Sequence, residues 1–347
     1  INVDTGRNLT IEKNKLSDIG KDGIEVRRVR KIDIVGNNKV NGTGERGIKV
    51  LASNDINIDG NSVDNTGMDG VFVSTSNGNV KINNNRIGQE SGSTINGDGI
   101  YLEQARGGFI QSNLISNTIT PFASGADFND GSGIYLHFTS NITVGGTDPL
   151  LGNIINNVAW DGVKIDGSAT NTIVQNNRIS DTTRIGIYSE GTSNVSALDN
   201  KVSNSNLPTW GNITILGGQG HTISRNEVWN DGASAGDHGI FLALVKSGTS
   251  VIDGNYVHGI RKDGIHLENV GGAAQVSNNI VEGGETGLMA EGKSNGTSSV
   301  SGNTFSYNRT GSEFHSGIIN LTGAGNTFNG PKGAGVALRF APVRLGG

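Results

Sequence analysis

Four short segments of the chain place ionisable or aromatic side chains two residues apart, with a small or apolar residue between them. They are Tyr101-Leu102-Glu103, Tyr135-Leu136-His137, Lys164-Ile165-Asp166 and Tyr188-Ser189-Glu190, and each follows a Gly and one apolar residue. Alternation of this kind describes a short β-strand with one buried face, so the named residues share the outward face. Together they hold the parts of a proton-transfer site. Lys164 could neutralise a substrate carboxylate, His137 or Tyr135 could remove a proton, and Tyr101 or Tyr188 could return one. Asp166 completes the catalytic candidates, while Glu103, Tyr188 and Glu190 are candidates for holding substrate. A hydrolase would instead pair two carboxylates, Glu103 with Asp166 or Asp166 with Glu190. The same residue types also suit a solvated parallel strand, where stacked tyrosines support a ladder without any chemistry.

What positions these residues is a repeat. Two alternating apolar residues, a turn Asn, another apolar residue, a polar stretch and then Gly-Ile or Gly-Val recur along the chain. The unit reads LTIEKNKLSDIGKDGIEV at 9–26, INIDGNSVDNTGMDGVFV at 56–73 and SVIDGNYVHGIRKDGIHL at 250–267. The Gly marker falls at 23, 47, 70, 99, 133, 162, 186, 239, 264, 287, 317 and 335, with Asn212 standing in once. A second marker runs through Asn14, Asn38, Asn61, Asn85, Asn113, Asn153, Asn177, Asn200, Asn226, Asn255, Asn279, Asn303 and Asn326. A shared period of mostly 23 to 30 residues is a solenoid signature. Strands this short need neighbours, and stacking coil on coil supplies them as in a parallel sheet. Asn and Gly suit the left-handed backbone of tight corners, and a column of Asn can hydrogen-bond along the stack. The reading is an all-β, single-stranded right-handed parallel β-helix of about 13 coils, one domain over 1–347, without its natural N- and C-terminal caps.

Composition agrees. The 347 residues include 55 Gly, no Cys and only 33 % hydrophobic residues, too few for the wide core of a compact domain but enough for a thin stack. A formal net charge of -5 argues against a nucleic-acid partner, which would want a basic stripe. No apolar run is long enough to span a membrane. A chain without Cys fits an extracellular or bacterial cell-surface setting. Uncapped ends point to end-to-end stacking with a second copy or to continuation in a longer chain.

The recurring N-x-[IV]…G-[IV] unit, with the variant ITVGGTDPLLGNII at 142–155, resembles the right-handed β-helix repeats of secreted bacterial proteins. That superfamily includes pectate-lyase-like enzymes, mannuronan C-5 epimerases, phage tailspikes and surface adhesins. Tyr135-Leu136-His137 keeps a His at the spacing of the epimerases' Asp-Pro-His-[Glu/Asp] motif. The resemblance implies a polysaccharide or cell-surface glycan as partner, with lyase or C-5 epimerase chemistry on an acidic sugar. The alternative is a non-catalytic adhesin stalk, fibre or filament segment. Insertions at 88–99, 120–133 and 145–153 favour a cleft beside Tyr101, Tyr135 and Lys164, since solenoid insertions tend to border a binding face. No cofactor is expected, save a Ca²⁺ site at Asp127, Asn129 and Asp130. A second outward patch joins His238, Phe241, His266, Glu268, Met289 and Glu291, and Trp160, Trp210 and Trp229 are candidate sugar platforms or packing residues.

Overall fold

The computed structural model describes residues 1–76, 78–120, 130–231, 236–292, 297–315, 320–322, 324–330, 333–339 and 344–346. The chain is an all-β solenoid of about 13 turns, built from parallel strands with no α-helix among the described residues. One 3₁₀ turn, Pro149–Leu151, is capped by the Asp148 carboxylate. Among the described residues no helix is long and apolar enough to cross a membrane. The chain divides into two compact units, Ile1–Arg184 and Ile185–Gly347.

In the first unit each turn from Ile48 onward carries three strands, while in the two turns before it the first two segments run together as Asn2–Glu12 and Ile24–Val35. Ile100–Glu103, Arg106–Gln111 and Leu114–Thr118 make one turn, and Ile134–His137, Ser140–Gly145 and Ile154–Val158 make the next. Register is in step throughout: Phe72 aligns with Tyr101, Tyr101 with Tyr135 and Tyr135 with Lys164. Ser74, Glu103, His137 and Asp166 form the parallel row two residues on. Inward residues such as Ile48, Val50, Ile100, Leu102, Ile134, Leu136, Val163 and Ile165 are fully buried, so the core is a column of branched aliphatics.

The second unit follows the same plan, with strands such as Gly211–Leu216, His238–Ala243, Asp263–Glu268 and Thr286–Glu291 paired in parallel. Here the structure corrects one register. Met289 aligns with Glu313 and Glu291 with His315, so the marker after Gly287 is Gly311, not Gly317. Gly311 is followed by Ser312, which hides the apolar signature, whereas Gly317 precedes Ile318 and imitates it.

The two markers do different work from each other. Within the first unit the Asn column is a continuous amide ladder: Asn38 donates to Asn61 Oδ1 at 2.9 Å, Asn61 to Asn85 at 3.0 Å and Asn85 to Asn113 at 3.0 Å. In the second unit Asn226, Asn255, Asn279 and Asn303 repeat it. The left-handed residue of that corner is the one before the ladder Asn, as at Lys13, Asn37, Asn84 and Ser112. The marker Gly is set by space instead. A Cβ on Gly99 would lie 2.4 Å from Ile115 Cγ2 and 2.6 Å from Gly133 O, so only hydrogen fits.

Candidate functional site

Tyr101, Glu103, Tyr135, His137, Lys164 and Asp166 come together on the outward face of the first strands of three successive turns in the first unit. The rings of Tyr101 and Tyr135 stack at 4.7 Å with 14° between planes, and Phe72 meets Tyr101 edge-on at 5.1 Å. Lys164 Nζ sits 4.3 Å above the Tyr135 ring, a cation–π contact that continues the stack. Beneath it the next row is ionic. His137 Nδ1 lies 2.5 Å from Asp166 Oδ1, and the Tyr135 hydroxyl donates to both Asp166 oxygens at 3.0 and 3.1 Å. With Nδ1 as the donor to Asp166, Nε2 becomes the basic nitrogen of His137.

Lys164 is held by Asp130, with which it forms a close ion pair, and lies 3.7 Å from Asp166. Burial works against its charge, but Asp130 and Asp166 outweigh that effect and raise its pKa above the ordinary value. Burial, then the charge of Asp166, pushes the Tyr135 hydroxyl well above the usual tyrosine range; burial, then Glu103, does the same to Tyr101. Both phenols therefore keep their protons at neutral pH. Glu103 accepts from the Ser74 hydroxyl at 2.7 Å.

Exposure separates the candidates. Tyr135 is 0 % exposed, whereas His137 retains 8 % and Asp166 is half-buried. Tyr135 is placed to order the Asp166 carboxylate, and His137 is the better-placed base. Tyr188 and Glu190 belong to the second unit, where the Tyr188 hydroxyl donates to Glu190 Oε2 at 2.7 Å and the ring packs edge-on against Trp210 at 6.3 Å. Of the proposed Ca²⁺ set, Asp127 and Asn129 lie outside the described residues, and Asp130 is engaged by Lys164. Trp160 lies under the Arg184 guanidinium at 4.2 Å, and Trp229 stacks on His258 at 5.9 Å.

The insertions do not all border this patch. Those at 88–99 and 120–133 lead from a third strand into the site strands Ile100–Glu103 and Ile134–His137. That at 145–153 joins Ser140–Gly145 to Ile154–Val158 and folds against Ser112, whose hydroxyl donates to Leu150 O at 3.0 Å.

Sequence reasoning missed the corner that follows each site strand. Thr75, Gln104 and Phe138 occupy it with positive φ, and with Arg106 they line a shallow open groove of about 470 Å³. Phe138 is 52 % exposed and packs on His137 with centroids 4.1 Å apart. Arg106 is exposed and has no carboxylate partner among the described residues. At the next turn the corner is Gly167, φ +65°, where a Cβ would lie 2.8 Å from His137 Nδ1. A missing side chain thus makes room for the imidazole. Periodicity marks the strand positions and is silent about the corner, which explains the omission.

Comparison with curated protein sequences returned no match. Among solved structures, the chain is similar to the Dettilon tailspike protein, at 16 % identity and TM-score 0.51, over 89 % of this chain and 62 % of that one. It is similar to the Agl-KA catalytic domain at 10 % identity and TM-score 0.55, over 97 % and 62 %. The periplasmic alginate epimerase AlgG follows at 15 % identity and TM-score 0.48, over 97 % and 77 %. The chain therefore spans about 62 % of the length of the first two, and the likeness at these identities is one of fold. With the right-handed beta helix region matched over residues 1–148, 91–242 and 149–305, the chain belongs to that family.

Proposed function

We propose that the first unit binds an acidic polysaccharide and carries out lyase or C-5 epimerase chemistry on its uronate residues. The observation that carries this reading is the His137–Asp166 pair, 2.5 Å apart and buttressed by Tyr135, at the edge of the groove that holds Arg106 and Phe138. A proton α to a carboxylate is weakly acidic, so its removal needs a cation on the carboxylate and an oriented base. Arg106 takes the carboxylate, and His137 takes the C5 proton through Nε2, oriented by Asp166 as in other carboxylate–imidazole pairs. In elimination the C5–H electrons form the C4=C5 bond as the bond from C4 to its glycosidic oxygen breaks. Tyr101, held protonated, donates to the departing oxygen. In epimerisation Tyr101 instead delivers its proton to the opposite face of C5, the abstracted proton stays on His137, and exchange with water restores both groups. Phe138 supplies the apolar platform on which a sugar ring rests. Such chemistry suits an extracellular or cell-surface protein, the location we assign with it.

A second reading has its own observation. Lys164 is satisfied internally by Asp130, Asp166 and the Tyr135 ring, as in a ladder built for stability alone. On that reading the chain is a non-catalytic adhesin, fibre or filament segment. The deciding experiment incubates the protein with polymannuronate, polyguluronate and polygalacturonate, following absorbance of unsaturated uronate ends and NMR of C5 epimers. Turnover that disappears in His137→Ala supports catalysis. No turnover by the wild type, or turnover unchanged in His137→Ala, overturns it. Affinity electrophoresis in the same polysaccharides, with retardation reduced in Arg106→Ala, tests the binding claim separately.

A further inference from the structure

The second unit contains a cluster that the reading above does not use. His238, Asp263 and His266 are each buried, on adjacent strands His238–Ala243 and Asp263–Glu268. Both imidazoles aim the same nitrogen at one oxygen. Asp263 Oδ2 lies 3.1 Å from His238 Nδ1 and 2.9 Å from His266 Nδ1. The three donor atoms lie within 4.8 Å of one another.

Tautomers make this arrangement informative. His266 Nε2 sits 3.1 Å from Glu291 Oε1, and a carboxylate there requires Nε2 to carry a proton. In the neutral ring Nδ1 then has the lone pair, facing the Asp263 carboxylate at 2.9 Å, so two acceptors oppose each other. His238 Nδ1 faces the same oxygen; it is buried and makes no aligned hydrogen bond, although it is 3.1 Å from Asp263 Oδ2. A metal cation between them resolves the set; an imidazolium at His266 beside an Nδ1–H tautomer of His238 is the alternative the test below separates from it. Bonds of about 2.0–2.2 Å from a metal to imidazole and carboxylate place neighbouring ligand atoms about 3.0–3.5 Å apart, close to the separations here. The Glu291–His266 contact is the carboxylate–imidazole support that metal ligands commonly have, fixing the tautomer and the ring. Phe241 closes one side, stacked on His238 at 5.5 Å and edge-on to His266 at 5.0 Å.

We propose that His238, Asp263 and His266 bind one divalent first-row transition cation, held by two Nδ1 atoms and one carboxylate oxygen. Two imidazoles and one carboxylate select Zn²⁺ and its neighbours over Ca²⁺ and Mg²⁺, which prefer all-oxygen shells. Three protein ligands leave coordination positions open to water.

The test uses the full chain stripped with EDTA and titrated calorimetrically with ZnCl₂. The expected result is one Zn²⁺ per chain, affinity reduced on the order of 100-fold or more in His238→Ala and His266→Ala, and about 10-fold in Glu291→Gln. His258→Ala, remote from the cluster, serves as the control and keeps wild-type affinity. Because a ligand variant could fail to fold, Co²⁺ is added to the wild type as well. Visible d–d absorption, together with paramagnetic shifts of the His238 and His266 ring protons, supports the site without any substitution. No saturable Zn²⁺ binding, affinity unchanged in both ligand variants, or ring protons untouched by Co²⁺ overturns the proposal and leaves an imidazolium pair as the cation.

Discussion

Asn85→Ala tests whether the amide ladder, and not the apolar column alone, holds the turns of the first unit in register. Asn85 is fully buried, and its side chain makes four hydrogen bonds of 2.9–3.0 Å. Nδ2 donates to Ile58 O and Asn113 Oδ1, while Oδ1 accepts from Asn61 N and Asn61 Nδ2. Truncation affects the four partners unequally. Asn61 Nδ2 keeps Ile34 O, and Asn113 Oδ1 keeps the Asn85 backbone N–H. Asn61 N–H, in contrast, loses the acceptor it had and stays buried. Loss of the bonds to Asn61 Nδ2, Asn113 Oδ1 and Ile58 O costs about 1 kcal/mol each, and an orphaned buried N–H adds about 1–3 kcal/mol, for a total of about 4–6 kcal/mol. The comparison is Asn57→Ala, which removes one half-buried bond to Asp33 Oδ1 and should cost under about 1 kcal/mol. Urea titration followed by circular dichroism measures both. Asn85→Asp adds a check of mechanism, because the carboxylate turns an acceptor toward Ile58 O and Asn113 Oδ1 and should be at least as destabilising at neutral pH. If Asn85→Ala falls within about 1 kcal/mol of Asn57→Ala, the ladder is decoration and the reasoning fails.

Three further substitutions probe other links. Gly167→Ala puts a methyl 2.8 Å from His137 Nδ1 at φ +65°, costing about 1–2 kcal/mol in backbone strain and displacing the imidazole from Asp166; circular dichroism should show a folded protein, and NMR of the His137 ring should show the movement. Gly99→Ala forces a methyl to within 2.4 Å of Ile115 and 2.6 Å of Gly133 O and should destabilise by about 2 kcal/mol or more, read from the urea midpoint. Burial, then the charges of Asp130 and Asp69, raises the pKa of Asp98 well above that of a free carboxyl. A carboxyl with a raised folded pKa contributes stability below its unfolded pKa of about 4 and loses it as pH rises through the folded value. Asp98→Asn keeps an acceptor for Ser132 N–H and should therefore raise the melting temperature at pH 8 with little change at pH 4; an equal gain at both would count against a titrating Asp98.

The periodic positions were legible because they obey simple geometry. A two-residue alternation placed Tyr101, Tyr135 and Lys164 in one row and Glu103, His137 and Asp166 in the next, and the strand pairing has that register. The Asn column was legible for the same reason. What alternation could not say is that outward need not mean exposed. Tyr135 is covered by Lys164, which is held there by Asp130, a residue outside the repeat. Nor does period distinguish why a Gly recurs: the marker glycines answer to close approach, while left-handed corners are filled by Thr75, Gln104 and Phe138. The Gly311 register slipped because Ser312 breaks the apolar signature that Ile318 mimics.

The Asp before the marker Gly shows how one turn device acquires a second use. Asp22 accepts from Arg46 N, Asp69 from Asp98 N and Asp98 from Ser132 N, so each carboxylate first satisfies a backbone donor of the following turn. That role alone would leave a column of buried negative charge. Neighbouring side chains answer it: Lys49 pairs with Asp22, Arg46 with Asp69 and Arg184 with Asp161. In the second unit the same sequence position is Asp263, and the groups that meet it are His238 and His266. Lys and Arg carry their charge at any physiological pH, whereas imidazole does so only when protonated or when a metal takes the proton's place. Replacing a permanent cation by two histidines at one repeat position is what turns a structural counter-ion into a group that can bind and release a ligand.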